Sequence, residues 1–153
     1  MLVRMNVEPV PWDHPEAAEL RAGQRREIAE RYGTPDSEPG TPPSADDIAV
    51  FAVVRDDAGT AVGCGGLRDL GDGVGEVKRM YVLPESRGSG AATVLLHALE
   101  EWARGQDWKC LRLETGDRQP DAVRFYTRSG YTPIAPFGAY ADEPTSLCFE
   151  RVL

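Results

Sequence analysis

A mixed α/β fold of the α+β kind is predicted for this chain, with a central, mostly antiparallel sheet flanked by helices. Three observations predict it. Strand and helix patterns follow the order β-α-β-β-β-α-β-α-β-β. A strand–turn–helix unit with a glycine-rich turn lies at its centre. No internal repeat or linker-like stretch divides the 153 residues. That length supports one hydrophobic core and is too short for two ordinary domains, so a single domain over residues 1–153 is expected.

The elements follow in order. Leu2 to Val7 has strand character. Asp13, with Glu16 three residues on and Pro15 just inside, marks a helix start leading into Ala17, Leu20, Gln24, Ile28 and Tyr32. Gly33 to Asp47 is rich in Gly, Pro, Ser and acids without periodicity and reads as a loop. Ile48 to Arg55 and Thr60 to Leu67 read as strands joined by the turn Asp56-Asp57-Ala58-Gly59. Gly71-Asp72-Gly73 is a second tight turn before a strand from Gly75 to Val82. Ser89 to Gln106 reads as a helix, with Ala91, Leu95, Ala98, Leu99 and Trp102 at helical spacing. Trp108 to Thr115 is a strand and Pro120 to Ser129 a short helix stopped by Gly130. Tyr131 to Ala135 and Ser146 to Val152 are the last strands, around a loop from Pro136 to Pro144.

Bulk properties narrow the function. Seventeen basic residues against 25 acidic ones give a net charge of −8, which argues against a nucleic-acid partner and leans toward a cationic small molecule. No apolar run reaches membrane-spanning length, and Met1 to Met5 lacks the apolar stretch of a signal peptide. Cys64, Cys110 and Cys148 are an odd count in strand-like segments with no Cys/His cluster. They read as buried reduced thiols of a cytoplasmic protein rather than disulfides or metal ligands.

The strand Val77 to Val82 is broken by Pro84 and followed by Arg87-Gly88-Ser89-Gly90-Ala91-Ala92 at a helix start. Small residues there leave bare backbone N–H groups at the positive end of the helix dipole, a site for a phosphate, and Arg87 can add a charge-assisted contact. A P-loop would need Gly-Lys-Ser/Thr, and no lysine follows Gly90. A dinucleotide fold would need G-x-G-x-x-G opening the helix, and Gly63-Cys64-Gly65-Gly66 lies inside a strand pattern instead. The plain alternative is a small-residue turn that only packs a helix closely on a sheet.

Arg87 to Ala92 fits the Arg/Gln-x-x-Gly-x-Gly/Ala signature of the GNAT superfamily of acetyl-CoA-dependent N-acetyltransferases, with the Val-x-Pro-Glu lead-in at Val82 to Glu85. Ala122 to Tyr131 resembles that family's Ala-x-x-Phe/Leu-Tyr-x-x-x-Gly-Phe/Tyr motif. The resemblance covers nearly the whole chain, weakly before Ile48 and strongly from Gly63 to Tyr131. It implies splayed central strands that hold acetyl-CoA as cosubstrate, without a metal. The pyrophosphate would lie on Arg87, Gly88, Ser89, Gly90, Ala91 and Ala92. The pantetheine would run along Met80, Tyr81 and Val82, with the Val82 amide polarising the thioester carbonyl. Gln119 stands where many members carry Asn, and its amide is available to the pantetheine arm at a different reach.

The same resemblance implies the chemistry. Transfer to an amine needs a neutral nucleophile, a stabilised oxyanion and a proton for the thiolate. Tyr126 occupies the position of the general acid. Glu76, six residues before Val82, is the leading candidate for the base, with Glu114 as runner-up and water as a third route. A strand acid paired with Lys78 or Arg79 is an equally good reading of Glu76. Trp12, Tyr32, Phe137 and Tyr140 fall in segments that line the acceptor site in relatives. The expected function is acetyl transfer to a primary amine of a small molecule by direct attack. The competing reading is a non-catalytic module that holds acyl-CoA as a sensor or scaffold. A homodimer is compatible with either.

Overall fold

The computed structural model describes residues 4–153, so Leu2 and Val3 of the expected first strand lie outside the described residues. The strands are Asn6–Pro9 (β1), Ile48–Arg55 (β2), Ala61–Gly71 (β3), Val74–Val82 (β4), Cys110–Gly116 (β5), Thr132–Ile134 (β6) and Ser146–Val152 (β7). They form one sheet in the spatial order β1-β2-β3-β4-β5-β7-β6. Three α-helices, Pro15–Tyr32 (α1), Ala91–Gly105 (α2) and Pro120–Arg128 (α3), and two single 3-10 turns, Pro84–Ser86 and Gly138–Tyr140, complete the described architecture. Every neighbouring pair is antiparallel except β4 and β5.

That one parallel pair sets up the site. β4 and β5 pair only from Val74–Cys110 to Glu76–Arg112. Beyond it, β4 stays with β3 as far as Val82, and β5 stays with β7 as far as Gly116. The two central strands therefore part and leave a gap between them.

A bulge in β4 decides which side chains face which way. Gly66 opposes Lys78 and Cys64 opposes Tyr81, so Arg79 and Met80 together face the single residue Gly65. Arg79 takes a left-handed backbone, with φ 58°. The extra residue reverses the alternation. Val77, Met80 and Val82 join the core around α2, whereas Tyr81 packs in the second core beneath α1.

Helix α2 holds its sheet face through Leu95, Leu96 and Leu99, all essentially inaccessible, each contributing about 1.5–3 kcal/mol of burial. Helix α1 seals the other face with Ala17 and Leu20 against Phe51 and Val53. Between them β3 has no room for a side chain at Gly66, where a Cβ would lie 2.6 Å from Phe51 Cδ2 and 2.7 Å from the Val50 carbonyl oxygen.

Several boundaries differ from the sequence expectation. The cap of α1 is His14 rather than Asp13, because Pro15 occupies the first helical position and the His14 Nδ1 accepts from the Glu16 N–H at 3.2 Å. α2 begins at Ala91, two residues late, since Gly88 and Gly90 at φ 82° and 91° hold the turn outside the helix. β3 extends to Gly71, four residues past Leu67, as the solvent-facing arm of a hairpin whose polar composition hides its strand character.

Candidate active site

Two cavities occupy the gap between β4 and β5, and they meet. The larger, about 600 Å³, is bounded by the Ser86–Gly90 turn, the start of α2, the edge of β4 and the face of α3. The smaller, about 160 Å³, lies under α1 and the loop after it, with Glu114, Thr115 and Gly116 of β5 as its far wall. Gln24, Ile28, Met80, Gln119, Ala122 and Tyr126 line both and form the junction.

The larger cavity fits a phosphate-bearing ligand. Among the described residues, no acceptor engages the backbone N–H groups of Gly88, Ser89 and Gly90; at the start of α2 the Ala91 N–H donates to the Ser89 hydroxyl at 3.4 Å, and the next N–H groups have no partner within the helix. Neither glycine has a neighbour within 4 Å of where a Cβ would stand, so the turn is open to solvent and to a ligand. Arg87 lines this cavity, but both of its terminal nitrogens hold Glu27 of α1, at 2.8 and 2.9 Å, and its Nε donates to the Val82 carbonyl at 3.0 Å. Arg31, Arg124 and Arg128 add cationic character that the motif does not contain.

The neighbouring edge of β4 is available to a second strand-like partner. The Leu83 N–H is spent on the Val62 carbonyl of β3, so alternation turns the Val82 and Met80 N–H groups toward the gap. The Met80 carbonyl accepts from Gln24 Nε2 at 3.0 Å, while Gln24 Oε1 is buried without a partner at the junction.

Tyr126 is 7% exposed, and burial alone pushes its phenol pKa up. Its hydroxyl makes no hydrogen bond among the described residues, and its ring packs edge-on against Phe125 and Tyr131. Gln119 caps α3 through its backbone without a side-chain bond, which leaves its amide free at the junction.

The two carboxylates considered for the base differ sharply. Glu76 is 2% exposed and its carboxylate lines neither cavity. It accepts from the Tyr140 hydroxyl at 2.6 Å and sits 3.5 Å from Arg68 and 3.6 Å from Lys78. The strand pair with Lys78 is thus realised, but buried rather than solvated. Glu114 lines the smaller cavity. Burial raises its pKa, with the nearby charges of Glu38 and Glu76 adding to the effect, while the Ser146 hydroxyl donates to it at 2.6 Å.

Of the four aromatics, Tyr32 lines the smaller cavity. Tyr140 instead anchors Glu76 and packs edge-on against Phe137, and Trp12 packs edge-on against Phe51 beneath Arg21. Sequence reasoning missed Gln24, Lys78, Glu38 and Thr115 as cavity residues. The three cysteines are buried free thiols outside both cavities, and burial raises each, Cys64 to about 12 and Cys110 to about 11. No group of three or more His, Cys, Asp or Glu among the described residues could hold a metal, and no helix among them is long and apolar enough to cross a membrane.

Comparison with known proteins gives the family and the fold. The chain is 41% identical to an IAA acetyltransferase of Azospirillum brasilense over 104 residues, 67% of each protein. Its fold matches a Klebsiella pneumoniae protein named as an acyl-CoA N-acyltransferase with TM-score 0.82 at 33% identity, over 97% of both chains. A GNAT family acetyltransferase from Elizabethkingia anophelis with acetyl-CoA bound shares the fold at TM-score 0.70 and 14% identity, over 97% of this chain and 98% of that one. A family model described as Acetyltransferase (GNAT) family matches residues 13–131, and the chain belongs to that family.

Proposed function

We propose that this chain transfers the acetyl group of acetyl-CoA to a primary amine of a small molecule, by direct attack with both substrates bound. The observation that carries the reading is the junction. A cleft edged by the glycine turn and a smaller cavity faced by Glu114 meet at Met80, Gln119 and Tyr126, between strands that have parted. The donor supplies a thioester. The turn from Arg87 to Ala92 would hold its pyrophosphate, and the outward N–H groups of Met80 and Val82 would hold the pantetheine and polarise the reacting carbonyl.

Tyr126 would donate a proton to the departing thiolate. A phenol raised by burial is a weak acid, but the same dry surroundings raise the basicity of a thiolate at the junction, which keeps the transfer feasible. Glu114 would take the proton of the incoming ammonium, because it faces the acceptor cavity while Glu76 is committed to Tyr140. A carboxylate whose pKa is raised by burial is better matched to that task near neutral pH. Direct attack is favoured over an acetylated enzyme because every cysteine is buried away from the cavities.

Calorimetric titration with acetyl-CoA, followed by thiol release over a panel of primary amines, tests the reading. Binding and amine-dependent release are expected. Binding without release on any amine would favour the acyl-CoA-holding module, and absence of binding would refute both.

A further inference from the structure

The acceptor cavity carries a cationic pair that the transfer chemistry above does not use. Lys78 Nζ and Arg79 Nη1 both hold the carboxylate of Glu38, and Lys78 Nζ also donates to the Tyr140 hydroxyl at 3.1 Å. Lys78 is 6% exposed, and an ammonium buried that far is strongly unfavourable unless matched by negative charge. The surrounding ion pairs can be counted. Arg68 is paired with Asp47 and Glu76, Lys78 with Glu76 and Glu38, and Arg79 with Glu38. Within these ion pairs three cations face three anions, and without Glu38, Lys78 would keep Glu76 while Arg79 would have no ion-pair partner among the described residues; Glu114, whose charge Lys78 feels, belongs to the opposite wall.

Glu38 differs from the other members of the cluster. Asp47 directly precedes β2, and Arg68, Glu76, Lys78 and Arg79 sit on the sheet. Glu38 belongs to the segment between α1 and β2, which contains neither helix nor strand from Gly33 to Ala45. The strand fixes the receptor: Lys78 stands in regular register opposite Gly66, and the bulge sets Arg79, with its left-handed backbone, directly beside it on the cavity wall. A rigid, strand-borne receptor for a carboxylate is therefore filled by a carboxylate on the least regular segment of the chain. On the opposite wall stands Glu114, an anion placed to receive an ammonium.

From this arrangement, and resting on the acetyl-transfer reading, we infer that the acceptor is a small amine that also bears a carboxylate. Its acid group binds Lys78 and Arg79 in place of Glu38, and its amine faces Glu114 and the junction. A purely cationic acceptor, which the net charge of −8 suggests, would meet Lys78 and Arg79 on the β4 wall with Glu38 already engaged. Overall charge therefore gives way to local charge in choosing the substrate.

The test compares matched amines: a set of free amino acids against the corresponding amino acid amides, which keep the amine and lose the acid. With acetyl-CoA saturating, kcat/KM for the best acid is expected to exceed that of its amide by about ten- to a hundredfold, the worth of a charge-assisted contact. Arg79→Gln should remove most of that preference, with thermal unfolding confirming that the variant is folded. Glu38→Gln, which leaves the receptor without its internal carboxylate, should lower KM for the acid and not for the amide. Thermal shift by the acid alone, measured without acetyl-CoA, gives a readout independent of turnover. Amides that react as well as or better than acids would overturn this inference while leaving acetyl transfer intact. No turnover of any amine, with acetyl-CoA bound, would overturn both.

Discussion

Replacing Tyr126 by Phe separates a catalytic hydroxyl from a structural one. The hydroxyl has no hydrogen-bond partner among the described residues, and the ring is held by the edge-on contacts with Phe125 and Tyr131, which Phe keeps. Its removal therefore breaks no bond of the fold. Freeing a nearly buried polar group from its desolvation is worth up to about 1 kcal/mol in favour of the folded state. For a domain of this size that corresponds to a rise in Tm of no more than about 2–4 °C. Turnover should move the other way. Loss of a positioned general acid slows the chemical step by about 10²–10⁴-fold. The assay pairs kcat by thiol release at saturating substrates with thermal unfolding and acetyl-CoA affinity. A variant with full kcat and a lowered Tm would refute the reasoning, because the hydroxyl would then belong to the fold.

Three further outcomes follow from the same geometry. Arg87→Ala removes a cation from the phosphate turn and releases Glu27, so the Kd for coenzyme A should rise about tenfold in calorimetry; an unchanged Kd would count against that turn as the pyrophosphate site. Glu114 must be ionised to accept a proton, and burial raises its pKa above the ordinary 4.5, so kcat/KM of the native protein should fall on the acid side from a pH above that value. Glu114→Gln should lower the rate by about 10²–10⁴-fold and abolish this acid limb, and a limb that persists would place the base elsewhere. Gly66→Ala would drive a Cβ to 2.6 Å from Phe51 and 2.7 Å from the Val50 carbonyl, costing about 1–3 kcal/mol, read as a lowered Tm with unchanged acetyl-CoA affinity per folded molecule.

What the sequence discloses is what is encoded locally. The turn from Arg87 to Ala92, the helix containing Tyr126 and the strand from Ser146 to Val152 are legible because capping, glycine placement and periodicity act within a few residues. The side-chain environment of Glu76 is not. Its hydroxyl partner, Tyr140, is 64 positions away at the end of a single 3-10 turn, Gly138–Tyr140, and only the tertiary fold brings them together. The engagement of Arg87 by Glu27 spans 60 positions and is equally invisible to a motif. The bulge at Arg79 has no marker in sequence, since no glycine stands at its left-handed position, yet it decides that Lys78 and Tyr81 share a side of the sheet. The loop from Gly33 to Asp47 reads as connective because it lacks periodicity, and this hides the role of Glu38 in the cavity.

The claim that the acetyl group passes directly from donor to amine across the junction has one decisive measurement. The protein is incubated with acetyl-CoA alone and followed by intact-mass spectrometry and thiol release, and an accepted amine is then added. The account predicts an unmodified protein and no thiol above the spontaneous rate until the amine arrives, with acetylated amine and free thiol then formed in equal amounts. A burst of thiol together with an acetyl group on the protein before any amine is added would contradict it.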